Sequence, residues 1–291
     1  ACGDAVGTTL EFTRRGTFEP ITDMVGGGPF GLAPGEWTDD TSMALCLAES
    51  LLEMEGFNAR DQMERYVRWW REGYLSSRET TFDIGNTVKL ALMRFEDSGE
   101  PFSGSTHPRS AGNGSIMRLA PVPMLYSSAM ENVIHYSGQS SLTTHGAAEA
   151  VDACKLFGVM IAMALHGESK EEILFGTHQH LDLDSLSPKI AQIASGDYQG
   201  KFDHEIKGSG YVVESLEAAL WSFLNAETYK QTVLMAVNLG DDADTTGAIT
   251  GQLAGAFYGV EEIPSGWLEK LKDREMIEKY ATRLYEVRMN G

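Results

Sequence analysis

The chain has 291 residues, and its 42 acidic and 23 basic side chains give it a formal charge of −19 at pH 7. Hydrophobic residues make up 42% of the sequence, which is enough for a sizeable core and excludes a disordered chain. A surface this negative repels phosphate backbones and anionic lipid, so we expect cations or cationic proteins as partners, with no nucleic acid and no membrane. No apolar run approaches the roughly 18 residues that a membrane-spanning helix needs.

The three cysteines are few and widely spaced along the chain. Cys2, Cys46 and Cys154 form neither a disulfide framework nor a zinc-binding pattern. The sequence shows no recognisable signal peptide, and these few, scattered cysteines predict a protein of the reducing cytoplasm. The sequence opens at Ala1 without a methionine, so we expect that a segment upstream is missing.

Most of the sequence repeats its apolar residues with the period of an α-helix. Pairs such as Leu47/Ala48 and Leu51/Leu52 recur every four residues, as one face of a helix requires. Alternating β-branched runs are nearly absent, which predicts an all-α fold. The predicted helices are residues 41–54, 61–72, 86–95, 147–165, 211–224, 229–237, 245–258 and 265–285.

Two stretches interrupt this helical pattern. Residues 96–115 are rich in Gly, Ser and Pro and predict a long loop, either ordered or mobile. Residues 167–210 are polar and weakly patterned, which predicts an insertion of short helices. Neither stretch resembles a linker between two cores, and no repeat of solenoid period is present, so we predict one domain over residues 1–291.

The first acidic cluster stands directly before the predicted helix 41–54. Thr38, Asp39 and Asp40 are residue types that cap helix N-termini, because their oxygens accept first-turn amides and carboxylates suit the positive end of the helix. Two aspartates and a threonine exceed what one cap needs, however. The alternative is that one of them caps while the others act as hard oxygen ligands.

A second acidic cluster stands before the predicted helix 245–258. Asp241, Asp242 and Asp244 fall within four residues and are followed by Thr245. Capping is again the simpler interpretation, yet carboxylates this close repel one another unless a cation relieves the repulsion. Two such helix starts favour a metal pair with oxygen ligands, which indicates Mg²⁺ or Mn²⁺ rather than zinc or copper.

The helix that follows this second cluster carries glycines every four residues, in the run GAITGQLAGAFYG. Such a stripe lets another helix backbone approach closely, although each glycine costs up to ~1 kcal/mol of helix propensity relative to alanine. We interpret it as a buried central helix that fixes the position of the acidic cluster.

Three smaller elements are ambiguous when taken alone. Residues 111–115 (AGNGS) precede a helix start and present either an ordinary turn or backbone amides for a phosphate. The GDAVG run at residues 3–7, followed by Glu11, brings acids to the N-terminus. Asp83 lies shortly before the predicted helix 86–95, where a cap is the simpler interpretation.

Together these elements resemble the ADP-ribosylglycohydrolases, especially the bacterial dinitrogenase-reductase-activating glycohydrolase type. The resemblance runs nearly end to end, from GDAVG at residues 3–7 to IPSGWL at residues 263–268. Between them lie WTDDT at 37–41, FDIGN at 82–86, GNGSIMR at 112–118, Thr144-His145, Tyr211 and DADTTG at 242–247. Each motif is weak alone, but their joint occurrence in this order is specific.

The resemblance implies an orthogonal all-α bundle with two divalent cations, Mg²⁺ or Mn²⁺. It implies that the chain lacks the first helix that such proteins usually have, and that Asp241 replaces a glycine. Asp83 and Glu11 fall where the family has its catalytic acids. The implied metal ligands are Thr38, Asp39, Asp40, Asp242, Asp244 and Thr245, and the implied ADP-ribose-binding residues are Gly112, Asn113, Gly114, His145 and Tyr211.

The function implied by this resemblance is metal-dependent removal of ADP-ribose from arginine side chains of proteins, so that the partner is an ADP-ribosylated protein or ADP-ribose. The alternatives are hydrolysis of serine-linked or small-molecule ADP-ribose conjugates, a non-enzymatic crystallin-like relative, and an ADP-ribose binder without turnover. Retention of all six implied ligands argues against the last two.

Overall fold

The computed structural model describes residues 1–290, and it is built from α-helices and short 3₁₀ turns. Within these residues the only β-type pairing consists of isolated bridges, such as Gly112 with Tyr211, so the all-α prediction is confirmed. The helices are α1 (Cys2–Gly7), α2 (Asp39–Glu53), α3 (Ala59–Glu72), α4 (Asn86–Ser98), α5 (Pro121–Tyr126), α6 (Met130–Leu142), α7 (Ala148–Leu165), α8 (Lys170–Phe175), α9 (Pro188–Ala194), α10 (Val212–Asn225), α11 (Tyr229–Val237), α12 (Ala243–Tyr258), α13 (Ser265–Lys270) and α14 (Arg274–Asn290).

The predicted helices match α2, α3, α4, α7, α10, α11 and α12 to within a few residues. The single helix predicted over 265–285 is wrong, because the chain breaks between α13 and α14, where Asp273 takes a φ of 50°. Three helices, α1, α5 and α6, were not predicted. Of these, α6 buries Ser137, Ser140 and Ser141 and so lacks an apolar stripe, whereas α1 and α5 have only six residues each.

The two interruptions of the helical pattern have different structures. Residues 99–115 contain no α-helix, and the loop is held to the protein where Gly146 N donates to Ser105 O (3.1 Å) and Gly104 N donates to Leu142 O (3.0 Å). Residues 167–210 contain the short helices α8 and α9 with 3₁₀ turns, as predicted.

Helix α12 lies at the centre of the fold and packs against α1, α7, α10 and α11. The buried apolar side chains form one continuous cluster around it, which includes the fully buried Trp37 and Trp267. The assignment of residues 1–291 to one domain stays a prediction. Among the described residues, no helix combines the length and the apolar character needed to cross a membrane.

The contact between α1 and α12 depends on glycine. A Cβ on Gly247 would lie 2.4 Å from Gly3 O, and a Cβ on Gly3 would lie 2.0 Å from Gly247 O. Two helix backbones therefore touch directly, which explains the glycine at position 247 of the stripe despite its propensity cost. Close contact with α1 fixes the N-terminal half of α12, where the second acidic cluster begins.

We predict that Gly247→Ala lowers the free energy of unfolding by about 2 kcal/mol, because the new methyl group overlaps backbone that cannot move aside cheaply. Gly255→Ala on the same helix is the control, since its Cβ would find its nearest neighbour, Tyr229 Cε2, at 3.9 Å. Alanine there is expected to be neutral or to stabilise by up to about 1 kcal/mol. Urea unfolding of both variants checks this, and equal stabilities would contradict it.

Candidate functional site

An aspartate on α1 organises the start of α2. The carboxylate of Asp4 accepts hydrogen bonds from Thr38 N (3.0 and 3.1 Å), Thr41 N (3.1 Å) and Thr41 Oγ1 (2.6 Å). It also accepts from Thr38 Oγ1 at 3.0 Å. Asp4 therefore caps α2 from a distant segment, a role that the sequence pattern did not reveal.

Capping occupies few of the acidic side chains at the helix starts themselves. The N-cap residues of α2, α4 and α12 are Thr38, Gly85 and Asp242, and none makes a side-chain capping bond. Asp244 Oδ1 does accept from the first-turn amide Thr245 N at 2.7 Å, so a carboxylate of the second cluster has a capping role, whereas Asp39, Asp40 and Asp83 have none. The carboxylates of Asp39, Asp40 and Asp83 are therefore left for another use.

Hydrogen bonds link the start of α12 to three other segments. Glu11 Oε2 accepts from Asp244 N at 3.4 Å, and Asp242 Oδ2 accepts from Asn113 Nδ2 at 2.7 Å. Thr245 Oγ1 donates to Asp40 Oδ2 at 3.4 Å, which joins the starts of α12 and α2. The two acidic clusters therefore lie side by side.

The carboxylates are close enough to share a cation. Oxygen atoms of Glu11, Asp242 and Asp244 all lie within 4.8 Å of one another. Burial, together with the charge of Asp244 on Asp242 and of Asp83 on Asp244, raises the pKa of both aspartates to about 7. Burial and the neighbouring carboxylates also raise the pKa of Glu11, while burial above all raises the pKa of Asp83 to about 6.

Asp39 and Asp40 complete the cluster on the side of α2. Burial, and then the charges of neighbouring carboxylates, raise the pKa of both groups well above the usual value of 3.8. Asp40 Oδ1 is buried and has no hydrogen-bond partner among the described residues. An orphaned carboxylate oxygen is costly in a protein interior, and a metal ion satisfies it.

The donor set fits a divalent cation such as Mg²⁺ or Mn²⁺. Every polar side chain at the junction of the two helix starts offers oxygen, and no lysine or arginine within residues 1–290 lines the adjacent cavity. The cluster thus contains no protein cation to offset its carboxylates.

The cluster opens into a cavity of about 590 Å³. Predicted site residues line it from several segments, whereas Thr38 and Asp40 are buried behind this lining. Tyr211 lines a neighbouring cavity of about 670 Å³ that shares Thr87, Gly112 and Gly210 with the first. The predicted residues that line the first cavity are Glu11, Asp39, Asp83, Gly112, Asn113, Gly114, His145, Asp242, Asp244 and Thr245.

The GNG segment, residues 112–114, forms part of the cavity wall, and its Asn113 side chain contacts the carboxylate of Asp242. Asn113 N donates to Gly210 O at 3.2 Å, so this amide is engaged within the protein rather than offered to a ligand. Gly114 has no room for a side chain, since a Cβ would lie 2.8 Å from His145 Cε1. Glycine at this position therefore lets the histidine ring reach the cavity wall.

His145 is neutral, because burial and then the charge of Arg118 lower its pKa to about 3. Thr144 Oγ1 lies 2.9 Å from His145 Nδ1 and accepts a bond from Arg118 Nη2 at 2.7 Å. The threonine hydroxyl can either accept from Nδ1 or donate to it, and when it donates the histidine proton is on Nε2. His145 can thus donate one hydrogen bond into the cavity without carrying charge.

The sequence of the whole chain matches that of known proteins. The sequence model described as ADP-ribosylglycohydrolase matches residues 1–291. The chain belongs to the ADP-ribosylglycohydrolase family. The predicted family is therefore confirmed.

Individual relatives in this family are similar over most of their length. The ADP-ribosylarginine hydrolase Tri1 of Serratia proteamaculans is 43% identical, over 98% of this chain and 76% of the relative. The ADP-ribosyl-dinitrogen reductase glycohydrolase of Rhodospirillum rubrum is 34% identical, over 93% of this chain and 87% of the relative. A solved structure described as an ADP-ribosylglycohydrolase-related protein complex superposes with a TM-score of 0.87 at 40% identity, covering 99% of this chain and 94% of that one.

We predict that the metal-free protein loses stability as the pH rises from about 4 to about 7. Asp242 and Asp244 titrate near 7 in the folded protein and near 3.8 when unfolded, so in this range the folded state binds more protons. Stability then falls with rising pH. Asp244→Asn removes one of these groups and should make the fall smaller. Urea unfolding of chelator-treated wild type and variant at pH 5 and pH 8 measures how far the stability of each protein falls. An equal fall in the two proteins would contradict the prediction.

Proposed function

We propose that this member of the ADP-ribosylglycohydrolase family hydrolyses the bond between ADP-ribose and an arginine side chain of a protein. The observation that carries this proposal is the buried carboxylate cluster, which opens on a cavity bounded by Gly112, Gly114 and His145. Arginine is the favoured linkage because two relatives, 43% and 44% identical, are named ADP-ribosylarginine hydrolases.

Two divalent cations, Mg²⁺ or Mn²⁺, are the proposed cofactors. When bound, such ions supply positive charge for the ribose hydroxyls and lower the pKa of a water molecule. The orphaned Asp40 Oδ1 supports this assignment, as do the mutual repulsions within the cluster. The ligands that we assign are Thr38, Asp39, Asp40, Asp242, Asp244 and Thr245.

Asp83 is the proposed general base. Its pKa of about 6 keeps the carboxylate ionised at neutral pH and still basic enough to accept a proton from water. As water attacks the anomeric carbon, the bond from this carbon to the guanidine nitrogen breaks, through a state that resembles an oxocarbenium ion. The bonding electron pair leaves with the nitrogen, and the proton held by Asp83 then passes to the departing guanidine.

Other residues of this chain position the substrate. Glu11, which accepts from Asp244 N, lies beside the reacting centre and orients the water. His145 is neutral and donates a hydrogen bond from Nε2 to the ADP-ribose, together with contacts from Gly112, Asn113 and Gly114. Tyr211, in the adjoining cavity, contacts the adenosine end.

The cytoplasm is the proposed location, since Cys2, Cys46 and Cys154 are all free thiols in the structure. The formal charge of −19 supports a cationic protein as the target rather than nucleic acid or an anionic membrane.

The deciding experiment measures release of ADP-ribose from an arginine-ADP-ribosylated protein with Mg²⁺, with Mn²⁺ and with chelator. A serine-ADP-ribosylated protein runs in parallel. We expect release from arginine alone, abolished by chelator. Release from serine would overturn the proposed specificity, and no release from either protein would refute the proposed activity.

We predict that Asp83→Asn lowers kcat by about 10²- to 10⁴-fold, because the amide cannot accept the proton from water. The thermal shift caused by Mn²⁺ should persist, since Asp83 is not among the proposed ligands. Asp97→Asn, an exposed aspartate near the end of α4, serves as the matched control and should retain full activity. Near-normal turnover of Asp83→Asn would rule out its role as base.

A further inference from the structure

Phe12 combines two unfavourable features at the mouth of the cavity. Its side chain is 69% exposed, and its backbone takes a φ of 57°, which bulky residues rarely adopt. Exposure forfeits most of the free energy that burial of the ring would give, while the strained backbone adds a cost of its own. Packing of its own side chain therefore does not account for this conformation.

The backbone around Phe12 is fixed by a pair of hydrogen bonds. Phe12 N donates to Asp241 O at 2.7 Å, and Asp241 N donates to Thr13 O at 2.8 Å. Asp241 also has a positive φ, of 57°. The segment directly after Glu11 is thus clamped to the segment directly before Asp242, and the clamp presents the Phe12 ring at the cavity.

Two further rings extend Phe12 into a row. The Phe30 ring lies 6.3 Å from the Phe12 ring and 5.4 Å from the Phe82 ring, measured between centroids. Arg78 holds this row in place: it donates to Phe30 O at 3.1 Å, pairs with Glu36 at 3.1 Å and lies 5.7 Å from the centroid of Phe82. We call Phe12, Phe30 and Phe82 the aromatic rim.

The aromatic rim lies beside the two proposed catalytic acids. Phe12 directly follows Glu11 and Phe82 directly precedes Asp83, so the rim spans the two acids to which we assign catalytic roles. The cavity that contains Tyr211 adjoins through Gly112 and Gly210, and none of its lining residues belongs to the rim. With the adenosine toward Tyr211 and the ribose at the carboxylates, the arginine and the chain that bears it leave the cavity across the rim.

The chemistry of the aromatic rim suits a polypeptide segment that carries a modified arginine. The guanidinium of the modified arginine is cationic, and it meets carboxylates and aromatic faces, both of which attract cations. The methylene stem of arginine is apolar enough to pack on the exposed Phe12 ring and the half-buried Phe30 and Phe82 rings. Adenine, the group of ADP-ribose that stacks on aromatic rings, is assigned to the cavity that contains Tyr211, which leaves the rim to the arginine side of the substrate.

We propose that the aromatic rim binds the polypeptide segment that carries the modified arginine, so that it contributes affinity for the target protein without contributing to binding of ADP-ribose. This inference rests on the proposed function. Phe12, the most exposed ring and the one that lines the cavity, supplies the central contact.

The test is the Phe12→Ala variant, with two measurements on each protein. The first is KM and kcat for an arginine-ADP-ribosylated protein, and the second is the inhibition constant of free ADP-ribose. We expect KM to rise about tenfold, as loss of a cation–π contact and its packing implies, with kcat and the inhibition constant within twofold of wild type. Phe12→Trp keeps an aromatic face and should restore KM.

Phe202→Ala is the matched control, because Phe202 is also 69% exposed and stacks on His204 away from the cavity lining. It should change neither measurement. An unchanged KM in Phe12→Ala would overturn the inference, as would an inhibition constant that rises in parallel with KM. If wild type binds ADP-ribose but releases none from the protein, the proposed function itself fails, and this outcome is distinct from the other two.

Discussion

The direct backbone contact between α1 and α12 is the constraint on which the site depends. Gly3 and Gly247 let the two helices touch, and Asp4, one residue after Gly3, caps the start of α2. One six-residue helix therefore locates the acidic starts of α2 and α12 relative to each other. Without this arrangement the carboxylates of Asp40 and Asp244 would have no reason to meet, since they come from segments about 200 residues apart.

The carboxylates that the proposed function needs also lower the stability of the metal-free protein. Buried carboxylates that repel one another raise the free energy of the metal-free fold, as the raised pKa values of Asp242 and Asp244 express. Among the described residues, the groups that donate hydrogen bonds to these carboxylates are neutral, such as Asn113 to Asp242. Because the described cavity lining contributes no lysine or arginine, positive charge has to come from outside the chain. A site of this kind is strained when empty and gains stability on binding cations.

Features of the fold and the site that are formed by residues close together in the sequence could be predicted from it, whereas contacts between distant segments could not. The helices with apolar stripes and the acids at their starts are local patterns, and they were predicted. The cap supplied by Asp4 was not, because it joins residues 34 positions apart. Likewise α6 buries serines instead of a hydrophobic stripe, and Asp273 breaks what reads as one helix. The strained Phe12–Asp241 clamp joins segments that are far apart in the sequence, and no sequence pattern predicts a positive φ at phenylalanine.

The central claim is that the carboxylate cluster binds two divalent ions. The most direct test is to remove metal from the protein, add divalent ions and count how many bind to each chain. Titration with Mn²⁺, followed by the electron paramagnetic resonance of the free ion, gives the number bound per chain. The account predicts two ions per chain and weaker binding in Asp40→Asn, whose orphaned Oδ1 is assigned to a metal, with Asp182→Asn on the exposed insertion unchanged. No saturable binding, or equal binding by Asp40→Asn and wild type, would contradict it.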